Sequence, residues 1–90
     1  MGAIKVTVID ETTYQVTVIA AATTNHEVSV DKTYAQRLTA GNISTAELVK
    51  KSFEFLLERE SNTSILRRFD LSVISRYFPE YEQEISSKLI

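Results

Sequence analysis

The residue types that usually carry catalysis or bind metals are scarce in this chain. It contains one histidine, His26, and no cysteine, so histidine-paired catalysis and thiolate metal sites have few residues to draw on. A lone histidine near the start of a strand is typical of a polar surface or hydrogen-bonding residue. Two glycines, Gly2 and Gly41, leave no glycine-rich loop for a phosphate. We therefore predict that the protein is not an enzyme, and we assign no catalytic, cofactor-binding or metal-binding residues.

The best candidates for binding are arginines and tyrosines in the last third of the chain. Arg67, Arg68 and Arg76 are followed closely by Tyr77 and Tyr81. Arginine makes bidentate bonds with carboxylates, and both residue types are enriched among those that dominate binding energy at interfaces. We expect these residues to bind a protein partner with an acidic surface. The alternative is that the arginines are merely solvated.

The carboxylates of residues 45–60 are better explained by solvation than by a metal. Glu47, Glu54 and Glu58 are interleaved with Lys50 and Lys51. Glu47 and Lys51 are four residues apart, a spacing that lets opposite charges pair on a helix surface. This pattern predicts a solvated helix face.

Composition limits the fold and the classes of function. Ninety residues with 43% hydrophobic content suit a single domain, residues 1–90. The net charge of −2 weakens attraction to phosphates, so we expect no specific binding of nucleic acid. No stretch approaches the ~20 apolar residues of a membrane helix, and residues 1–8 do not resemble a signal peptide. A cysteine-free chain fits a reducing cytoplasm, where we expect this protein to work.

Alternating apolar and polar residues predict three strands, near residues 3–10, 14–21 and 26–30. Residues 10–13 would form a short hairpin loop. Helical patterns follow, and we predict helices near residues 32–40, 45–60, 64–69, 71–77 and 80–88. Because the strands precede the helices, the fold class is α+β. We expect an N-terminal three-stranded antiparallel sheet packed by a central long helix and short C-terminal helices.

The central helix has the strongest signals. Ser44 and Glu47 have the spacing of a capping box, and Ile43 and Leu48 that of a hydrophobic staple. Upstream, Asp31 is the expected N-cap of the first helix and Gly41 its end.

The apolar sector of the central helix is broad enough to be covered on two sides. Phe53 lies in the middle of this sector, and Leu48 and Phe55 extend it. The second side meets either the C-terminal helices or a second subunit, so the sequence leaves a homodimer open.

Residues 26–60 resemble the ribbon-helix-helix family of DNA-binding antitoxins and repressors. HEVSV matches the ribbon, DKTYAQRLTA the first helix and the segment from Ser44 to Glu60 the second. The resemblance implies a dimer that reads DNA from the ribbon, where this chain carries Glu27 and Ser29. The first helix is about a turn short for that family, and Glu27 would repel phosphate.

The run FEFLLERESNTSILRRFDLSVISRYFPEYEQEI also resembles small bacterial proteins to which no activity is assigned. That resemblance implies a bacterial cytoplasmic protein with an α+β fold. Our leading hypothesis from the sequence is a non-enzymatic protein-interaction module. The alternative is a DNA-binding regulator or antitoxin of the ribbon-helix-helix type.

Overall fold

The computed structural model describes residues 3–88, which fold into one mixed sheet and a set of helices. The strands are β1 (Ala3–Val8), β2 (Thr13–Ile19), β3 (Thr23–Ser29) and β4 (Arg68–Asp70). The sheet order is β1-β2-β3-β4, in which the first three strands are antiparallel neighbours and β4 runs parallel to β3. The predicted α+β class is confirmed. The three-stranded meander is also present, but it is part of a four-stranded mixed sheet.

Four α-helices follow or interrupt these strands. They are α1 (Lys32–Thr39), α2 (Thr45–Leu57), α3 (Ile74–Tyr77) and α4 (Tyr81–Lys88). Single 3₁₀ turns occur at Asn62–Ser64 and at Leu71–Val73, directly before α3. The central helix is shorter than predicted, because it ends at Leu57 instead of Glu60.

The predicted helix at residues 64–69 is wrong. Ile65, Leu66 and Phe69 have helical spacing, but the chain instead extends and adds β4 to the sheet. The carbonyl of Arg67 accepts a hydrogen bond of 2.7 Å from the backbone N–H of Glu27, and Phe69 lies opposite Val28. Pairing with a strand distant in sequence thus outweighs the local periodicity.

The predicted starts of α1 and α2 are confirmed. Ser44 Oγ accepts the backbone N–H of Glu47 at 3.1 Å, and Asp31 accepts that of Thr33 at 2.9 Å. The end of α1 differs from the prediction. Ala40 is the C-cap, with a left-handed φ of 51°, and Gly41 follows with a φ of 75°. The left-handed backbone conformation therefore begins at an alanine, in which it is strained, one residue before the glycine that adopts it readily.

The apolar sector of α2 is buried on both sides within a single chain. Phe53 contacts the aromatic ring of Phe69 at a centroid distance of 6.0 Å. On the other side, Phe55 packs edge-on against Phe78 and Tyr81 at 5.9 and 5.2 Å. Leu48 and Phe55 are fully buried. The C-terminal segment therefore covers the face that would otherwise have needed a second subunit.

Candidate protein-binding site

The five candidate binding residues are not brought together on one surface. Tyr81 is fully buried, so its expected role as an exposed anchor is wrong. Its hydroxyl donates to Ser52 Oγ at 2.6 Å, and Ser52 in turn donates to the carbonyl of Leu48 at 2.7 Å. Burial raises the pKa of Tyr81 well above its usual value. The sequence does contain a signal for this burial. Ser52 is a polar residue within the apolar sector of α2, and a buried hydroxyl needs a hydrogen-bond partner.

The arginines differ in what they contact. Arg68 Nε lies 3.4 Å from a carboxylate oxygen of Glu27 across the β3–β4 pair. Arg67 and Arg76 are exposed, and within residues 3–88 neither side chain forms an ion pair or hydrogen bond. All three guanidinium groups are therefore accessible, since Arg68 remains 80% exposed beside Glu27, but Arg67 and Arg76 lack even a surface ion pair.

The surface contains an open apolar groove, and two of its lining residues are sequence neighbours of Arg67 and Arg76. It has a volume of about 320 Å³. Its lining consists of Leu56, Glu60, Ser64, Ile65, Leu66, Phe69, Val73, Ile74, Tyr77 and Phe78. Leu66 and Tyr77 remain 49% and 67% exposed, and they directly adjoin Arg67 and Arg76. Large apolar side chains left in water, next in sequence to unpaired arginines, have the composition that is enriched at binding surfaces.

A buried polar network fixes the segment that forms one wall of the groove. His26 Nδ1–H donates to the carbonyl of Leu66 at 2.8 Å. In that tautomer of the neutral ring, Nε2 accepts from the hydroxyl of Thr24 at 2.9 Å. Asn62 Nδ2 donates to Thr24 Oγ1 and to the carbonyl of Ala22, both at 2.8 Å. His26 thus proves to be a buried hydrogen-bonding residue.

Arg59, two residues after the end of α2, forms several ion pairs. Its guanidinium pairs with Glu80 at 3.4 Å and with Glu84. It also donates to the carbonyl of Phe55 and lies 3.6 Å above the centre of that ring. Arg59 therefore joins the end of α2 to α4. In the helix predicted over residues 45–60, Arg59 is the one charged residue on the apolar sector, and this was the available signal for a partly buried role.

Asp70 fixes the junction between β4 and α3. Burial works against ionisation of this carboxylate, but hydrogen bonds from the hydroxyl and amide of Ser72 and from Ser29 outweigh it. The pKa of Asp70 consequently lies below its usual value. Because the acceptors of Asp70 are occupied by neighbours, this carboxylate has a structural role.

The residues expected to form a DNA-reading ribbon lie inside the sheet. β3 has β2 on one edge and β4 on the other. Glu27 faces Arg68, and Ser29 Oγ donates to Asp70 at 3.0 Å. Pairing of this strand with a second copy would require β4 to leave. The arrangement gives no support to a ribbon-helix-helix dimer.

Comparison with known proteins identifies no relative. No protein-family model matches the chain, and no curated protein or solved structure matches it significantly. Among the described residues, no cluster of three or more histidine, cysteine or carboxylate side chains is placed to hold a metal ion. No helix within residues 3–88 has the length and apolar character needed to cross a bilayer.

Proposed function

We propose that this protein is a non-enzymatic interaction module whose partner is another protein. The observation that carries the proposal is the apolar groove with Leu66 and Tyr77 left exposed at its lining. Tyrosine beside a pocket, flanked by arginine, is a composition enriched at interaction hot spots. The partner would insert an apolar side chain into the groove.

The charges beside the groove favour an acidic partner. Arg67 and Arg76 follow and precede the exposed lining residues Leu66 and Tyr77, and neither is paired within residues 3–88. Carboxylates of a partner could bind them bidentately, which would add orientation to the apolar contact. Glu60, at the lining itself, would disfavour an acid deep in the groove. We therefore infer a partner segment with an apolar centre and acidic flanks.

The alternative function, a DNA-binding regulator, would have to use a different surface from the one that its resemblance suggests. Two unpaired arginines would release about two counterions, which gives a shallow dependence on salt. A committed DNA-binding protein makes about six to ten phosphate contacts. We therefore expect only weak duplex binding that disappears as salt rises.

The test is capture of a partner by crosslinking in the source cell, compared across matched variants. Leu66→Asp and Ile9→Asp both place a carboxylate on an apolar residue that is about half exposed (49% and 51%) and outside any helix or strand. Arg76→Glu is matched by Lys50→Glu, which reverses a charge on the exposed face of α2. We expect capture to be lost with Leu66→Asp and Arg76→Glu and retained with both controls.

A different pattern would reject the proposal. Equal capture by Leu66→Asp and Ile9→Asp would show that the groove is not the binding surface. Tight binding to the protein's own promoter at physiological salt, measured by titration of labelled duplexes, would favour the regulator instead.

A further inference from the structure

The first strand leaves one backbone edge of the sheet open. β1 is the terminal strand in the order β1-β2-β3-β4, and within residues 3–88 no other strand pairs with its outer side. Edge strands are commonly protected by proline, by bulges or by charged side chains, lysine above all. The sequence AIKVTV has no proline and one charge, Lys5. Apart from Lys5, β1 carries none of these protections, and its register with β2 is unbroken, so its outer backbone groups can pair with a further strand.

The hydrogen bonds next to β1 show which of its residues face the open edge. The backbone N–H of Ile9 donates to the carbonyl of Thr13 at 2.9 Å. In an antiparallel pair, the residues that bond to the neighbour alternate with residues that point away from it. The odd-numbered residues of β1 therefore bond to β2. The N–H and C=O groups of Ile4, Val6 and Val8 point to the open edge.

The side chains of the same three residues are also incompletely covered. Ile4, Val6 and Val8 lie opposite Val18, Val16 and Tyr14, all of which are buried under the helices. Ile4 and Val6 are only partly buried and Val8 remains 59% exposed. Helix α2 packs over β1, so Ile4 and Val6 are partly covered, and Val8 at the end of the strand is the residue whose apolar side chain a second strand would cover.

We propose that β1 pairs with β1 of a second copy of this chain, antiparallel about a two-fold axis at Val6. Val6 then lies opposite Val6, and Ile4 opposite Val8 of the other copy. All three outward-facing residues of each strand exchange both of their backbone hydrogen bonds. The apolar residues of both copies lie on the same face of one continuous sheet, as a two-fold axis normal to the sheet requires. None of the groove-lining residues belongs to β1.

This register is preferred over its neighbours on two grounds. A shifted register that places Ile4 opposite Val6 of the other copy leaves Val8 without a partner in the strand. The same shift sets Lys5 opposite Lys5. Like charges directly opposite each other are destabilising. A slide the other way pairs Val6 with Val8 and leaves Ile4 unpaired. Only the register centred on Val6 uses every open group and places Lys5 opposite Thr7.

Single-cysteine variants test both the pairing and its register. The chain has no native cysteine, and Lys5 and Thr7 have exposed side chains on the face away from the helices. In the proposed register they are a non-hydrogen-bonded pair with Cα atoms about 4.5 Å apart, within the range for a disulfide. Lys5→Cys mixed with Thr7→Cys should form a heterodisulfide faster than either variant forms a disulfide with itself. Preferential Lys5→Cys homodimers, or preferential Thr7→Cys homodimers, would overturn the register.

Sedimentation of the wild-type protein and of Val8→Pro tests the backbone bonds. Proline removes an N–H that has no bond within the subunit, so the monomer should remain folded by circular dichroism. The dimer would lose two symmetry-related hydrogen bonds and its dissociation constant should rise about tenfold or more. Val8→Ala retains the N–H and should weaken the dimer less. Tyr77→Asp, in the groove, should leave the dimer unchanged. A monomeric wild-type protein, or a folded Val8→Pro that dimerises as strongly as Val8→Ala, would overturn the proposal.

Discussion

Asn62→Ala tests whether a buried amide positions the wall of the groove. Asn62 is nearly fully buried, and its Nδ2 donates to the carbonyl of Ala22 and to Thr24 Oγ1. Each such bond contributes about 1 kcal/mol net, so the variant should lose about 2 kcal/mol of unfolding free energy. A domain of this size has about 5–13 kcal/mol in total. With a urea dependence of about 1–2 kcal/mol per molar, the midpoint should fall by about 1–2 M.

Two further variants sharpen this measurement. Thr63→Ala changes the exposed neighbour of Asn62 and should shift the free energy by no more than about 0.5 kcal/mol. Asn62→Asp preserves the shape but sets a carboxylate oxygen against the carbonyl of Ala22, so it should cost about 3 kcal/mol or more.

The effect of Asn62→Ala should also be local. The Glu27 amide, which donates to the carbonyl of Arg67, reports on the attachment of the segment that enters β4. Its hydrogen exchange should accelerate more than that of amides between β1 and β2. If Asn62→Ala and Thr63→Ala had equal urea midpoints and equal exchange at Glu27, the network would not hold the segment.

Three other predictions concern the stability of the fold. Ser44→Ala should cost about 1 kcal/mol by removing a helix cap, whereas Phe53→Ala should cost about 3–5 kcal/mol by leaving a cavity; equal urea midpoints would contradict this ranking. Arg59→Lys should cost about 1–2 kcal/mol, because lysine lacks the planar fork that pairs with two carboxylates, and added salt should reduce the difference from wild type. Burial raises the folded-state pKa of Tyr81. The stability that the neutral tyrosine contributes to the fold is therefore complete below the unfolded tyrosine pKa of about 10 and is lost as pH rises above that value. Tyr81→Phe should make the alkaline loss of unfolding free energy shallower, and an unchanged alkaline slope would contradict the assignment.

Local signals in the sequence were sufficient for the N-caps of α1 and α2, the meander and the α+β class. A cap depends on residues a few positions apart, as in Ser44 and Glu47, and strand alternation depends on burial of one face. β4 was missed because its evidence is not local. The spacing of Ile65, Leu66 and Phe69 fits a helix, and only the docking of Phe69 opposite Val28 makes an extended chain more stable.

The candidate site was predictable only in part for the same reason. Of the five predicted binding residues, Arg67, Arg68, Arg76 and Tyr77 are exposed, as contact with a partner requires, and their binding role stays a prediction. Sequence alone could not distinguish them from Tyr81, whose hydroxyl is satisfied by Ser52, a residue far away in the chain. The groove itself is formed by residues from several segments, so its existence depends on tertiary packing.

The order of the strands connects the two proposals. β1 and β4 occupy opposite edges of the sheet, and the groove-lining residues Leu66 and Phe69 lie next to and within β4. A dimer paired through β1 would therefore leave both grooves free, one at each end of a continuous eight-stranded sheet. Such a dimer would bind a partner that carries two copies of the acidic, apolar-centred segment more tightly than one that carries a single copy, because the second contact forms within the complex. Val8→Pro should remove this gain while leaving the binding of a single segment intact, which separates the role of the strand edge from that of the groove.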